Sequence, residues 1–307
     1  MNYKKEKLDI IVLMSTYNGE KYLDEQLKSI FNQKNVNIKV MVRDDGSNDE
    51  TKIILNKWAL NYPLTWLDGN NIGVGNSFMQ LVYSAEKCDY YAFSDQDDVW
   101  KSDKLISGIN ILKTLPQEKL ALYYSSYNIV DENLNILNEN PNNFKPYNFG
   151  SSLLQCNPLG CSFIFNYAAK KFAENFLSEN IRMHDTWMFR IVYATGNIIY
   201  DNTAHLLYRQ HANNVSGANQ TAFKRLKNRL KRIKSFFNGA RIGSVKQVRR
   251  CCEEYITDKE KIEILKDITE YNKSFRNKLK VIFNKNLRLC SKLDTILFRI
   301  ILLIGKA

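Results

Sequence analysis

The first hundred residues alternate short apolar runs with stretches of helical periodicity, and each apolar run ends in polar turn chemistry. Residues 9–14 form a continuous apolar run, the pattern of a parallel strand buried on both faces, and Ser15-Thr16-Tyr17-Asn18-Gly19 breaks it. Leu23, Leu27, Ile30 and Phe31 then recur at helical spacing. Residues 36–43 read as a second strand ending at Asp44-Asp45-Gly46-Ser47. A second helix follows, with Ile54, Leu55 and Trp58 inward and Ser47 or Asn48 as N-cap. A third strand at 64–67, the loop Asn70-Asn71-Ile72-Gly73, a helix from Val74 to Glu86 and a strand at 90–93 complete the series. Strands alternating with helices at this spacing require βαβ units and an open parallel sheet, whose ligands sit beyond the carboxyl ends of the strands.

Those ends carry the polar residues. Thr16 and Tyr17, then Asp44 and Asp45, then Asp95 and Asp97 each follow a strand, and a parallel sheet gathers them at one edge. The densest group is Ser94-Asp95-Gln96-Asp97-Asp98-Val99-Trp100. Three carboxylates on one strand tip repel one another unless a cation or hydrogen-bond donors neutralise them. Their hard oxygens suit Mg²⁺ or Mn²⁺; the rival reading is a turn with an Asp helix cap, Asp98 capping the helix that follows.

Downstream the pattern is less regular. Residues 101–114 read as a helix, 121–124 and 128–130 as strands, and 138–149 as an exposed loop rich in Asn and Pro. Residues 160–165 read as a strand, 182–194 as a helix, and 197–200 and 204–208 as two more strands. If the last runs on, alternation puts His205, Leu207, Arg209 and His211 on one face. Gly73 and Gly160 are explained by backbone geometry.

Charge divides the chain. Residues 1–218 carry a net −3 and residues 219–307 a net +15, which places a boundary near Gly217 between a 1–217 domain and a basic helical region, 218–307. Phe223, Leu226, Leu230, Ile233 and Phe237 form one helical stripe among Lys and Arg, the composition of a helix lying on an anionic membrane surface. Residues 296–304 are apolar but too short to span a bilayer, and read as interfacial, core or oligomer-forming. The rival is a set of helices packed on the first domain with a charged outer face. The start of the chain lacks a signal peptide's apolar segment, so a cytoplasmic location is expected. Six cysteines without CxxC spacing read as reduced thiols.

Taken in order, strand-Ser15-Thr16-Tyr17-Asn18, strand-Asp44-Asp45-Gly46-Ser47, Asn71-Ile72-Gly73 and the Asp95–Trp100 segment resemble the family 2 glycosyltransferases, over about residues 8 to 217. These are inverting enzymes of the GT-A fold, a Rossmann-like α/β architecture. The wording around Asp95, with His184-Asp185 and Tyr208-Arg209-Gln210-His211, is most similar to the bacterial rhamnosyltransferase branch. The resemblance implies a nucleotide-diphosphate sugar donor, with L-rhamnose as the sugar that branch suggests, and a lipid-linked or growing glycan acceptor. It implies Thr16 and Tyr17 lining the nucleotide pocket, Asp44 on the pyrimidine base, and Asp45 beside it or supporting the loop. Asp95 would stand near the ribose, and Asp97 would ligate the cation, with His211 as second ligand. Asp185 would be the catalytic base, and Arg209 would face the leaving diphosphate. His184 and Trp187 are acceptor-side candidates; core packing is the rival for Trp187, a structural ion pair for Arg209, and a helix cap for Asp185. The implied setting is the inner face of the cell membrane.

Two other functions are weighed. A nucleotidyltransferase would prefer a Gly-rich, Lys-containing phosphate loop after the first strand, and residues 15–19 lack one. A nucleic-acid-binding protein would use the basic tail, but no RNA or DNA module is visible, so nucleic acid is not an expected partner. Homo-oligomerisation stays open.

Overall fold

The computed structural model describes residues 8–139, 148–155, 158–176, 181–210, 240–289 and 291–303. Thus His211 and the basic stripe at 222–237 lie outside the described residues. The described residues fall into two compact units. One draws on the chain up to Asn143, on Pro158–Val192 and on Gly196–Asn213; the other takes Phe144–Asn157, Tyr193–Thr195 and the chain from Asn214.

The first unit is built on one sheet. Its opening strands are β1 (Leu8–Thr16), β2 (Val36–Asp44), β3 (Leu64–Asp68) and β4 (Tyr90–Ser94), with helices α1 (Leu23–Phe31), α2 (Thr51–Ala59) and α3 (Val74–Ser84) between them. A two-residue β5 (Val99–Trp100), α4 (Lys104–Leu112), β6 (Ala121–Val130) and β7 (Ile136–Asn138) follow. The order across the sheet is β3-β2-β1-β4, then β8 (Phe163–Asn166), β6, β9 (Asn197–Arg209) and β5, with β7 on β6. The first four strands are parallel to one another, and β9 is parallel to β6. β8 is antiparallel to both its neighbours.

Burial explains the arrangement. Every residue of β4 is buried, and Val12, Leu13 and Met14 of β1 are fully so, as befits strands covered on both faces. Leu23, Leu27 and Ile30 of α1 are also fully buried, each contributing about 1.5–3 kcal/mol by leaving water.

Several local expectations change. The segments at 121–124 and 128–130 are one strand, β6, and those at 197–200 and 204–208 are one strand, β9. A register shift opposite Ser125 and Ser126 absorbs Asn202 and Thr203, which explains why β9 reads as two pieces. The strand read at 160–165 begins instead with a 3₁₀ turn, Gly160–Ser162. α2 has Glu50 at its cap position with no side-chain cap bond, so neither Ser47 nor Asn48 caps it.

The second unit is helical. It takes in α5 (Phe149–Leu154), and its main helices are Ala240–Cys252, Lys259–Thr269, Phe275–Phe283 and Lys292–Leu303. Val245, Val248, Leu265, Ile268, Phe298 and Leu302 are among its buried apolar residues. Arg249 links Glu253 to Glu270 at 2.8 Å each. Among the described residues no helix is long and apolar enough to cross a membrane.

Candidate active site

Sheet register assembles the polar residues. Thr16 pairs with Asp44, and Met14 with Ser94, so the ends of β1, β2 and β4 reach the carboxyl edge together. The Thr16 hydroxyl donates to Asp44 Oδ1 at 3.1 Å. The Ser47 hydroxyl also donates to Asp44 Oδ1, and the Ser47 amide to Oδ2 at 2.8 Å. Asp44 is fully buried and Asp45 nearly so. Asp45 is paired with Arg43 and accepts the amides of Ile72 (2.9 Å) and Gly73 (3.0 Å). Gly73 has φ +83°, a conformation that side chains resist, and it turns the loop onto Asp45.

The oxygens of Asp44 accept from Thr16 and Ser47, which ties the turn after β1 to the turn after β2. Asp45 takes the loop-supporting alternative. Tyr17 is 47% exposed and supplies an accessible ring beside them. Gln96 was not singled out by sequence, yet its amide clamps Tyr17: it accepts from the Tyr17 amide at 2.9 Å and donates to the Tyr17 carbonyl at 3.1 Å. The acidic tip and the β1 turn are therefore held in register.

At the tip, the ligand atoms of Asp95, Asp98 and Cys161 all lie within 4.8 Å of one another. Burial raises Asp95, and the charges of Asp97 and Asp185 raise it further, to about 7. Asp98 is raised well above the carboxylate range by burial, then by Asp97 and Asp95. Burial and the same two carboxylates, Asp98 and Asp95, keep the Cys161 thiol protonated. Asp98 does not cap a helix. It is fully buried, its Oδ1 accepts the Arg209 amide at 3.2 Å, and the helix that follows has Asp103 at its cap. Lys104 stands behind the cluster, fully buried, with its Nζ 3.6 Å from the Trp100 ring centroid. Desolvation lowers it to about 7. Cys161 and Lys104 were missed because nothing local to a lone Cys or a lone Lys reports what the fold places beside it.

Arg209 differs from the expectation that it faces the leaving diphosphate. Arg209 is 1% exposed, and its guanidinium donates to the carbonyls of Asp97 (2.9 Å) and Glu132 and to the carboxylate of Glu25. It lies 4.5 Å from the Tyr22 ring. These contacts make it a tie between the acidic tip, α1 and the turn after β6. The structural ion pair prevailed because Glu25 and Glu132 come from parts of the chain that its local sequence cannot indicate.

On the other side of the tip, helices α6 (Tyr167–Glu174) and α7 (His184–Thr195) follow β8, and Asp185 lies in the first turn of α7. Met183 occupies the cap position, so Asp185 is not the N-cap. Its charge contributes to raising Asp95. Gly160 permits this approach: a Cβ there would stand 2.8 Å from His184 Nε2 and 3.0 Å from Asp185 Cβ. His184 and Trp187, the acceptor-side candidates, are both buried. His184 is buried, stacked on Phe78 at 3.8 Å and edge-on to Phe93 at 4.7 Å. Desolvation holds it neutral, lowering it to about 4. Trp187 is 5% exposed and packs edge-on against Phe176. Apolar packing won at both positions because α7 turns this face toward β4 and its neighbours.

A separate surface groove of about 530 Å³ is lined by Asp24, Lys57, Trp58, Asn61 and Tyr62, and contains none of these acidic residues.

Residues 11–172 match the model of the family described as "Glycosyl transferase family 2". The chain belongs to that family. It is 33% identical over 235 residues to the dTDP-rhamnosyl transferase RfbG of Shigella flexneri, covering 69% of this chain and 78% of the relative. It is 26% identical over 247 residues to WfaP of Escherichia coli, a UDP-Glc:alpha-D-GlcNAc-diphosphoundecaprenol beta-1,3-glucosyltransferase, covering 73% and 86%. The solved structure of S. aureus TarS 1-349 in complex with UDP-GlcNAc superimposes with a TM-score of 0.54 at 15% identity, covering 97% of this chain and 91% of that one. The fold is accordingly GT-A, with a helical C-terminal region, and the protein is a glycosyltransferase. That assignment displaces the nucleotidyltransferase reading.

The acidic tip suits the divalent cation typical of such folds. Asp98 Oδ2 is buried without a hydrogen-bond partner among the described residues, and the neighbouring carboxylates raise one another. Carboxylate oxygens match Mg²⁺ or Mn²⁺, whereas a protonated thiol is a poor ligand for either. Asp95 and Asp98 converge at the tip, and the charge of Asp97 beside them raises both.

Proposed function

We propose that this chain transfers a deoxyhexose, L-rhamnose, with inversion, from a nucleotide-diphosphate donor to a lipid-linked or growing bacterial surface glycan. One observation carries the reading: the ends of β1, β2 and β4 bring Thr16, Asp44 and the acidic tip to one edge, with Asp185 electrostatically linked to Asp95. The activity of the Shigella relative supports the sugar, and that of the Escherichia coli relative supports a diphosphate-lipid acceptor.

In this reading Tyr17 borders the nucleotide, while Thr16, Asp44 and Asp45 hold the loops that shape its pocket. Asp95 stands on the nucleotide side of the tip. Asp97 holds the cation, with His211 as a further ligand and Asp98 anchoring the loop from behind. A divalent cation there supplies charge to offset what collects on the departing diphosphate. Asp185 takes the proton of the acceptor hydroxyl as it attacks the anomeric carbon from the opposite face, and a positioned carboxylate typically contributes ~10²–10⁴-fold. Arg209 keeps the tip in place and is not itself a donor ligand. Residues 1–217 form the transferase domain, and the basic region 218–307 holds the enzyme on the cytoplasmic face of an anionic membrane or joins copies of the chain.

Titration of a panel of nucleotide sugars, with and without Mn²⁺ or Mg²⁺, tests this. Saturable binding of a dTDP-deoxyhexose that strengthens with the cation is expected. Binding of none of the panel in either condition would sink the reading.

A further inference from the structure

The Lys292–Leu303 helix is apolar on two opposite faces. Its inner face buries Phe298, Ile301 and Leu302 within the helical unit. Leu293, Ile296, Ile300 and Leu303 follow at spacings of three, four and three, so they share one stripe, and each is 46–56% exposed. A surface helix ordinarily turns polar residues to water. Here the outward stripe is made of Leu and Ile, the kind of exposed apolar surface that marks an interaction site.

The charges around it indicate what covers it. Lys292 and Arg299, seven residues apart, lie on one flank of the stripe. From residue 271 to residue 307 the chain has nine Lys and Arg and a single acidic residue, Asp294; Lys273 and Lys280 are paired with acids of the preceding helix and turn, and the other seven keep the rim basic. Asp294 is 7% exposed, on the buried side of the helix, so it does little to offset that charge outside. Two copies meeting through this face would bring like-charged rims together. An anionic lipid surface satisfies both features: hydrocarbon for the stripe and headgroups for the rim. At 12 residues the helix spans about 18 Å, well short of a bilayer's hydrocarbon core, so it lies in the plane of the surface.

We infer that the outward face of the Lys292–Leu303 helix is a membrane-docking surface, in which Leu293, Ile296, Ile300 and Leu303 enter the acyl boundary of an anionic leaflet. This deepens the membrane reading above and rests on it, but assigns the apolar contact to this helix rather than to the basic stripe at 222–237.

The test is co-sedimentation of the full chain with vesicles of phosphatidylcholine alone or with phosphatidylglycerol added. The Ile296→Ser/Ile300→Ser variant is compared with Ile53→Ser, an exposed apolar control on α2. Both positions of the double variant are half-exposed, so the melting temperature should stay unchanged. Wild type and Ile53→Ser should bind the phosphatidylglycerol vesicles, with the double variant weaker by about tenfold or more. Equal binding by the double variant overturns this inference while leaving membrane association to the basic stripe. Absence of vesicle binding by wild type overturns both. Dimerisation of wild type lost in the double variant, without vesicle binding, also overturns it and identifies a second copy as the occupant. Nucleotide-sugar binding, measured on the same samples, reports separately on the glycosyl-transfer reading.

Discussion

Replacing Arg209 by Met tests whether the guanidinium ties the acidic tip to the rest of the sheet. The substitution keeps much of the aliphatic packing and removes every donor. Glu25 is 48% exposed and rehydrates when its partner is lost, so the ion pair itself accounts for little of the change. The cost falls on the carbonyls of Asp97 and Glu132, which lose a charged donor, at about 1–3 kcal/mol each where water cannot replace it. A further part comes from the Tyr22 ring, which loses a cation at 4.5 Å. The sum is about 3 kcal/mol, which in a unit of roughly two hundred residues lowers the melting temperature by about 6–12 °C. Because the Asp97 carbonyl belongs to the tip, the cation concentration needed for half-maximal donor binding should also rise. Arg209→Lys, which keeps the charge but not the fork, should recover part of the stability and less of the cation response. Scanning calorimetry and Mn²⁺-dependent donor titration supply both readouts. A Met variant melting within about 2 °C of wild type, with unchanged cation response, would refute the reasoning.

Other outcomes follow from the same geometry. Asp185→Asn should bind donor normally while transfer falls by ~10²–10⁴-fold in a single-turnover assay, and near-normal turnover excludes Asp185 as the base. His184 titrates near 4 in the folded chain and near 6.5 when unfolded, so the unfolded state binds more protons between those values. Its contribution to stability is therefore full above about pH 6.5 and is lost as pH falls toward 4. His184→Phe should weaken that acid loss by about 2 kcal/mol, read from urea midpoints at pH 7 and pH 5. Gln96→Ala removes both bonds to Tyr17 and should raise the donor dissociation constant several-fold with little change in melting temperature. Asp97→Asn should abolish the Mn²⁺-induced rise in melting temperature; a rise equal to wild type transfers the ligand role to Asp95 and Asp98.

The sequence by itself determined the βαβ series and the edge at which the site forms. Apolar runs bounded by polar turns are local signals, and the parallel register then follows from strand length and alternation, as the Thr16–Asp44 pairing shows. It also determined the family, because Thr16, Asp44 and Asp95 to Trp100 each lie in a short contiguous motif. Helix α6 was not read, although Asn166 caps it through a bond from the Ala169 amide, because the strand before it runs directly into the cap.

Only the tertiary structure decided what the charged side chains do. Arg209 is an arginine near the end of a strand until Glu25, at a distance of 184 residues along the chain, meets it. Cys161 becomes a neighbour of the acidic tip only when the segment leading into β8 is brought beside β4, as β8 enters the sheet antiparallel between β4 and β6. His184 and Trp187 bear polar atoms suited to a sugar, yet packing of α7 makes them core. Periodicity reports which face of an element is apolar, whereas the partner of a buried charge depends on contacts between elements remote in sequence. Those contacts also set the local dielectric, which raises Asp95 and Asp98 at the tip.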